Sequence, residues 1–181
     1  MSDQGQFESF MQDYQDMVYT TALRLVGNEA DAEDIAQETF LRAYAHFDEL
    51  RHSPTAGGWL KTVARNLSLN HLTRYRARWQ FFSESVQDGH EERDLTETIS
   101  APDSDEQAGD LADKRTIIED AIRALPPGPR AALVLYHFED MSYEEIASNL
   151  KVSLGKVKTD IHRARESLRR KLGHRLAAGG F

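Results

Sequence analysis

The sequence predicts an all-α protein: two small helical domains joined by a flexible acidic linker, the second domain built around a helix-turn-helix. Three observations carry this expectation. Apolar residues recur at helical spacing toward both ends of the chain; the negative charge is concentrated in one central segment; and a capped helix, a tight turn and a basic helix follow one another near the C-terminus.

Phe7, Phe10, Met11, Tyr14, Met17, Val18, Ala22 and Leu25 keep the spacing of one helix face, and Gly27 stands where a left-handed glycine ends such a run. Asn28 and Asp31 lead into a second helix whose apolar side is Ala32, Ile35, Ala36, Phe40, Ala43, Tyr44 and Phe47. Its remaining surface is acidic, with Glu29, Asp31, Glu33, Asp34 and Glu38, then Asp48 and Glu49, against Arg42 alone. The sign then reverses. From Leu50 to Ser83 there is no carboxylate, while Arg51, Lys61, Arg65, Arg74, Arg76 and Arg78 are basic. Such segregation suggests two partners for one domain, a basic protein surface and a polyanion.

A third helix is expected from Trp59 to about Arg78. Trp59, Leu60, Val63, Leu67 and Leu72 supply apolar contacts and leave Lys61, Arg65, Asn66, Asn70, Arg74 and Tyr75 for a ligand. Cations, amides and a ring together suit single-stranded or partly opened nucleic acid: cations neutralise phosphate, rings stack on unpaired bases, amides bond to base edges. The preceding loop, Arg51 to Gly58, is small enough to wrap a base taken out of its stack. Trp59 fits a core position better than a stacking platform. Trp79, Phe81 and Phe82 could equally close the core or touch DNA.

The net charge of −8 divides unevenly. Residues 1–83 carry eight basic and eleven acidic side chains, residues 84–113 one and eleven, and residues 114–181 thirteen and eight, or −3, −10 and +5. The middle segment has few large apolar residues and no helical stripe, so it cannot offset the entropy of ordering. The expected division is therefore a helical domain at 1–83, a flexible acidic linker at 84–113 and a second helical domain at 114–181.

Within that second domain, Ser142 and Glu145 form a capping box for a short helix carrying Ile146, Ala147 and Leu150. After Lys151 and Val152, Ser153 is a second N-cap, and Val157, Ile161, Ala164 and Leu168 fall on one stripe of the next helix. Thr159, His162 and Arg163 point away from it. Nine Lys/Arg lie between Lys151 and Leu176 against Asp160 and Glu166, the pattern of a helix-turn-helix that reads DNA.

Composition narrows the remaining classes. The absence of cysteine excludes disulfides, thiol catalysis and cysteine-ligated zinc, and fits a reducing cytoplasm. No apolar run approaches the ~20 residues of a membrane span, and the N-terminus lacks a secretory layout. The expectation is a soluble, intracellular protein. No His-Glu-x-x-His, phosphate loop or Gly-x-Ser-x-Gly occurs, and the seven histidines never pair at metal-binding spacing. Neither a cofactor nor enzymatic activity is expected.

Three stretches resemble one family. Asp31-Ala-Glu-Asp-Ile-Ala-Gln-Glu-Thr-Phe-Leu-Arg-Ala-Tyr44 is similar to the polymerase-binding helix of bacterial sigma factors. Gly58-Trp-Leu-Lys-Thr-Val-Ala-Arg-Asn66 resembles the helix that engages the −10 promoter element. Leu125-Pro-Pro-Gly-Pro-Arg-Ala-Ala-Leu-Val-Leu135, Met141 to Ala147, and Val157 through Glu166 resemble the domain that binds the −35 element. The two-domain layout is similar to the extracytoplasmic-function class.

The resemblance implies a role for each charged region. Asp31, Glu33, Asp34, Gln37 and Glu38 would dock on the clamp helices of the polymerase β′ subunit. Arg51, Trp59, Lys61, Arg65, Asn66, Asn70 and Arg74 would hold the −10 element while the strands separate, with a flipped base in the 51–58 loop. The linker would thread the polymerase channel. Lys156, Lys158, Thr159, His162, Arg163, Arg165 and Arg169 would serve the −35 element beside the β flap. Lys158, His162 and Arg163 are expected on bases, and Arg165, Arg169 and Arg170 on phosphate. An anti-sigma factor would control the protein.

Three positions depart from the pattern. Ala56 stands where relatives carry an aromatic residue, Lys151 where the turn usually has glycine, and Asp160 where arginine is common. An aspartate facing the groove would repel phosphate yet accept from cytosine N4. Read from residues alone, a free-standing transcriptional regulator and a protein-interaction module with the same fold stay open as rivals.

Overall fold

The computed structural model describes the backbone of residues 2–84 and 110–178, and the side chains of residues 2–74 and 112–173. Among the described residues every regular element is a helix. Most of the expected linker, 85–109, lies outside them, as do the side chains of Tyr75, Trp79, Phe81 and Phe82.

Helix α1 (Asp3–Val26) starts behind Ser2, whose hydroxyl accepts from the Gly5 N–H at 3.3 Å, and ends on Gly27 at φ 70°. Asn28 then caps α2 (Glu29–Ala45) by accepting from the Asp31 N–H at 3.1 Å. A single turn, α3 (Phe47–Leu50), leads to α4 (Ala56–Glu84), which continues past the expected end at Arg78. Helices α1, α2 and α4 pack on one another. Val18, Phe40, Ala43, Leu50, Ala56, Leu60 and Ala64 form one buried cluster, and Ala22, Val26, Ala32 and Ile35 a second. Tyr44 does not join them. It is 62 % exposed and meets the Phe7 ring in a T-shaped contact at 5.0 Å, because its position on α2 turns it past the α1 contact.

The second half comprises α5 (Asp110–Arg123), α6 (Pro127–His137), α7 (Tyr143–Leu150) and α8 (Leu154–Ala178). Helix α5 begins inside the stretch expected to be linker, and acidic Asp113 in its first turn suits a helix N-terminus. Pro127 opens α6 where no N–H is needed. Ile122, Leu135, Ile146, Val157 and Ile161 make the core of this half.

The two halves pack together. Leu25 of α1 and Leu69 of α4 belong to the same buried cluster as Leu135 and Ile146, with Leu72 against it. Burying each leucine contributes ~1.5–3 kcal/mol. Around this seam lie polar contacts between the halves. Arg24 donates to Glu119 through Nε at 3.0 Å and lies over the Phe138 ring at 4.3 Å. Arg123 pairs with Glu29 at 3.5 Å. Arg130, 6 % exposed, donates to the carbonyls of Val26 at 2.8 Å, Leu25 at 3.3 Å and Leu125 at 3.0 Å. The first two are terminal carbonyls of α1, which lack helical partners and favour a cation. Burial, then nearby Arg123, lowers the Arg130 pKa to about 10, so it stays charged at neutral pH.

Candidate nucleic-acid interface

Three surfaces carry the residues singled out by sequence. On α2, Glu33, Asp34, Gln37 and Glu38 are exposed, and Asp31 lies 3.1 Å from His71 Nε2 on α4. Glu38 accepts from Arg42 one turn on, at 3.0 Å. The same face holds two residues that pattern reading missed. Leu41, 67 % exposed, and Tyr44 continue the row from Asp34 through Gln37 and Glu38, giving an acidic stripe with an apolar end. The signal for Leu41 was present, an apolar residue three positions after Glu38 on a polar face.

On α4, Asn66, Asn70 and Arg74 are exposed on the outer side. Lys61 and Arg65 turn toward the loop between α6 and α7: their charged atoms lie 3.7 and 3.8 Å from the carboxylate of Glu139, whose side chain is 6 % exposed. Lys61 also donates to the Phe138 carbonyl at 3.4 Å. Glu139 is a third residue that the sequence did not flag. Trp59 packs against the first-half core and makes a T-shaped ring contact with His46 at 5.8 Å. Arg51 is held by Asp48 at 2.6 Å, Asp3 at 3.2 Å and Gln6 at 3.4 Å, which fixes the start of the loop ahead of α4. Ala56 is buried in the core, and a Cβ on neighbouring Gly57 would come within 3.1 Å of the Tyr14 ring. The small residues here let α4 start hard against α1.

On α8 the sequence pattern and the structure agree closely. The Ser142–Glu145 capping box is present, with the Glu145 N–H 3.2 Å from the Ser142 hydroxyl and the Ser142 N–H 2.8 Å from the Glu145 carboxylate. Lys151 makes the turn at φ 56°, ψ 47°, the left-handed conformation that glycine adopts without strain. Ser153 caps α8 by accepting from the Lys156 N–H at 3.2 Å. Val157, Ile161 and Ala164 are buried, while Lys158, Thr159, His162 and Arg163 are exposed on the opposite side. Arg165 lies over the Tyr136 ring and 3.2 Å from His137 Nε2, and Arg169 pairs with Glu166. Burial, reinforced by Arg165, lowers the His137 pKa.

Asp160 is corrected by the structure. It does not face the groove: it is 3 % exposed, beside Gly128 at the start of α6, and accepts from Lys156 at 3.0 and 3.2 Å. The helical step places it next to Ile161 and Val157 on the inner side, where its charge meets the positive end of α6. It neither repels phosphate nor reads cytosine. Lys156 stays exposed at the surface while its ammonium pairs with this buried carboxylate.

Behind α8, an apolar cleft of about 460 Å³ opens between Ile118 and Ile122 of α5, Leu133 and Phe138, and Leu168, with Arg165 and Arg169 at its rim. Among the described residues, no group of His, Asp and Glu could hold a metal ion, and no helix is long and apolar enough to cross a membrane.

Known proteins share both halves. The sigma-70 region 2 family matches residues 10–78, and the sigma-70 region 4 family matches residues 115–168. The chain is 33 % identical over 171 residues to the ECF RNA polymerase sigma factor SigW of Bacillus subtilis, covering 94 % of this chain and 90 % of that one. It is 37 % identical over 164 residues to the ECF RNA polymerase sigma factor SigE of Mycolicibacterium smegmatis, covering 90 % of this chain and 60 % of that one. Among solved structures, the sigma factor RpoE of Bartonella quintana, in complex with the anti-sigma factor NepR, is 24 % identical with a TM-score of 0.48 over 92 % of this chain and 96 % of that one. With both family regions in order and a relative of one class matched over nine-tenths of both chains, the chain belongs to the sigma-70 family, as an extracytoplasmic-function sigma factor of RNA polymerase.

Proposed function

We propose that the first half, through α4, docks on core RNA polymerase and holds the −10 element, that the second half, from α5 onward, reads the −35 element, and that the acidic stretch between α4 and α5 is the tether. The α2 face of Asp31, Glu33, Asp34, Gln37 and Glu38 meets the basic clamp helices of β′. Lys61, Arg65, Asn66, Asn70 and Arg74 receive the opened strand, and the 51–58 loop receives a flipped base. In α8, Lys158, His162 and Arg163 meet base edges while Arg165 and Arg169 meet phosphate, and the β flap seats in the apolar cleft behind them. An anti-sigma factor restrains the protein, which acts in the bacterial cytoplasm with no catalysis of its own.

The observation that carries this reading is the two-sidedness of α8. Its buried stripe fixes the helix on the core, and behind a capped α7 the opposite side offers Lys158, Thr159, His162 and Arg163 at the spacing of a major groove. Transcription with core polymerase on genomic fragments tests it. RNA should start at a set of promoters sharing two spaced elements, and reversing Asp31 and Asp34 to lysine should lower polymerase affinity. No RNA from any fragment would overturn the reading.

A further inference from the structure

We propose that Leu154 is a specificity-determining residue of α8, its apolar side chain meeting the C5-methyl group of one thymine in the −35 element. The proposal rests on the reading of α8 as the major-groove helix, and adds a base chemistry that its cations do not supply.

Leu154 opens α8 directly after the Ser153 cap and is 37 % exposed. The apolar contact that braces a helix start is made without it. Val157, four residues past the cap, is buried, and Val152, just before the cap, packs against the same cluster. Among the described residues, Leu154 packs against none of the buried clusters. The other exposed large apolar side chains described have places of their own: Leu41 and Tyr44 end the α2 stripe, and Ile118 lines the cleft.

The position of Leu154 aims it at base edges. A recognition helix meets them with its N-terminal residues, and the Cα–Cβ bonds of a helix tilt toward that end. Leu154 therefore leans past the start of α8. Gly155 beside it leaves the helix start bare, since even a Cβ there would meet nothing within 4 Å. Lys158 stands one turn on, about 6 Å along the axis, a donor suited to guanine O6 and N7. At 3.4 Å per base pair, the two side chains reach positions about one or two pairs apart. The Thr159 hydroxyl donates to the Gly155 carbonyl at 3.0 Å, so its oxygen is left to accept. Polar groups of this kind read thymine and deoxyuridine alike. An apolar side chain does not, because the C5-methyl group is what thymine adds to the groove.

Deoxyuridine, which lacks only that methyl group, gives the test. Transcription with core polymerase first identifies a promoter, and each thymine of its −35 element, on either strand, is then replaced singly by deoxyuridine. Competition binding of the chain assembled with core polymerase should show one sensitive thymine, where the replacement lowers affinity about twofold to fourfold, the worth of one buried methyl. That thymine should lie within about two base pairs of the position at which Lys158→Ala relaxes preference. Leu154→Ala should weaken binding to the thymine duplex by the same factor and make the two duplexes equivalent. A merely structural loss would instead weaken both duplexes alike and preserve their ratio. Thr159→Ser, which removes the other methyl group on this side of α8, should leave the sensitivity in place. Circular dichroism checks that each variant keeps its helices.

Indifference to deoxyuridine at every position, an element without thymine, or a sensitivity that survives Leu154→Ala would overturn the proposal while leaving promoter-directed transcription standing. A chain that starts no RNA with core polymerase would overturn both readings together.

Discussion

Arg130 of α6 fills the space that a side chain on Gly27 would need. The left-handed backbone at Gly27, φ 70°, ends α1 and exposes its last carbonyls, and the guanidinium bonds to two of them directly over the glycine. A Cβ at Gly27 would overlap that guanidinium. One backbone angle in the first half thus admits a cation from the second.

Gly27→Ala should therefore destabilise the protein twice over. A left-handed residue with a Cβ costs ~1–2 kcal/mol, and displacing the buried cation from its carbonyls adds a similar amount, for a total of about 2–4 kcal/mol. Arg130→Met, which keeps the apolar stem, should cost about 2–3 kcal/mol by stranding those carbonyls. Urea unfolding followed by circular dichroism measures both. A Gly27→Ala protein as stable as the parent would show that the contact contributes nothing.

Lys151→Gly should do the opposite. Lys151 holds the turn at φ 56°, so glycine removes a strain of roughly 1 kcal/mol and should raise Tm by ~2–4 °C. Promoter preference should not change, since the exposed side of α8 is untouched. A lower Tm would mean that the lysine side chain supplies contacts outweighing the strain.

Asp160→Ala should weaken the second half without altering which promoters are used. The carboxylate is buried between Lys156 and the start of α6, and losing those interactions costs about 1–2 kcal/mol. Unfolding and transcription from a promoter library give the two readings. A shifted −35 preference with unchanged stability would contradict the inward position.

The two classes of contact proposed for α8 separate by their salt dependence. Lys158→Ala and Arg163→Ala should each cost ~1–3 kcal/mol of discrimination at one base position. Arg169→Ala should weaken all sequences alike and reduce the slope of log affinity against log salt by about one. Binding titrations on matched and mismatched duplexes at several salt concentrations distinguish them. Equal, sequence-independent losses in all three would remove the base-reading role.

Glu139 makes the packing of the halves sensitive to acid. Burial raises its pKa above the ordinary 4.5, and Lys61, Arg65 and Arg24 lower it only in part. A raised carboxyl binds its proton more readily in the packed state, so packing takes up a proton: the state gains stability as pH falls through the range just above 4.5 and loses it as pH rises. Energy transfer between fluorophores on Gln15→Cys and Ser148→Cys, one exposed site in each half of this cysteine-free chain, should therefore rise on going from about pH 7 to about pH 5. Glu139→Gln should flatten the Glu139 part of that response and keep the halves packed. A decrease in transfer over the same range would reverse the assignment.

Much of the architecture was legible because its signals are local. The Ser142–Glu145 capping box, the Gly27 terminator and the Val157–Ile161–Ala164 stripe each depend on residues within one or two turns, and all are where the pattern puts them. What escaped depends on distant partners. Arg130 meets α1 across 104 and 105 positions of sequence, and Glu139 meets Lys61 and Arg65 from a loop that looks like any other acidic turn. Asp160 was misread for a related reason: on a basic helix a charged residue suggests the outside, and only packing against Gly128 shows that this one faces in. Tyr44 failed conversely, as an aromatic at core spacing that its one ring contact, Phe7, leaves 62 % exposed.

The stripe on α2 combines two kinds of attraction with different endurance. Asp34, Gln37 and Glu38 act at long range and set the speed of encounter, and their pull fades as ions are added. Leu41 and Tyr44 act only on contact and are indifferent to ions. A partner captured by the whole row should therefore arrive more slowly in concentrated brine yet remain attached through a wash that strips nucleic acid from α8.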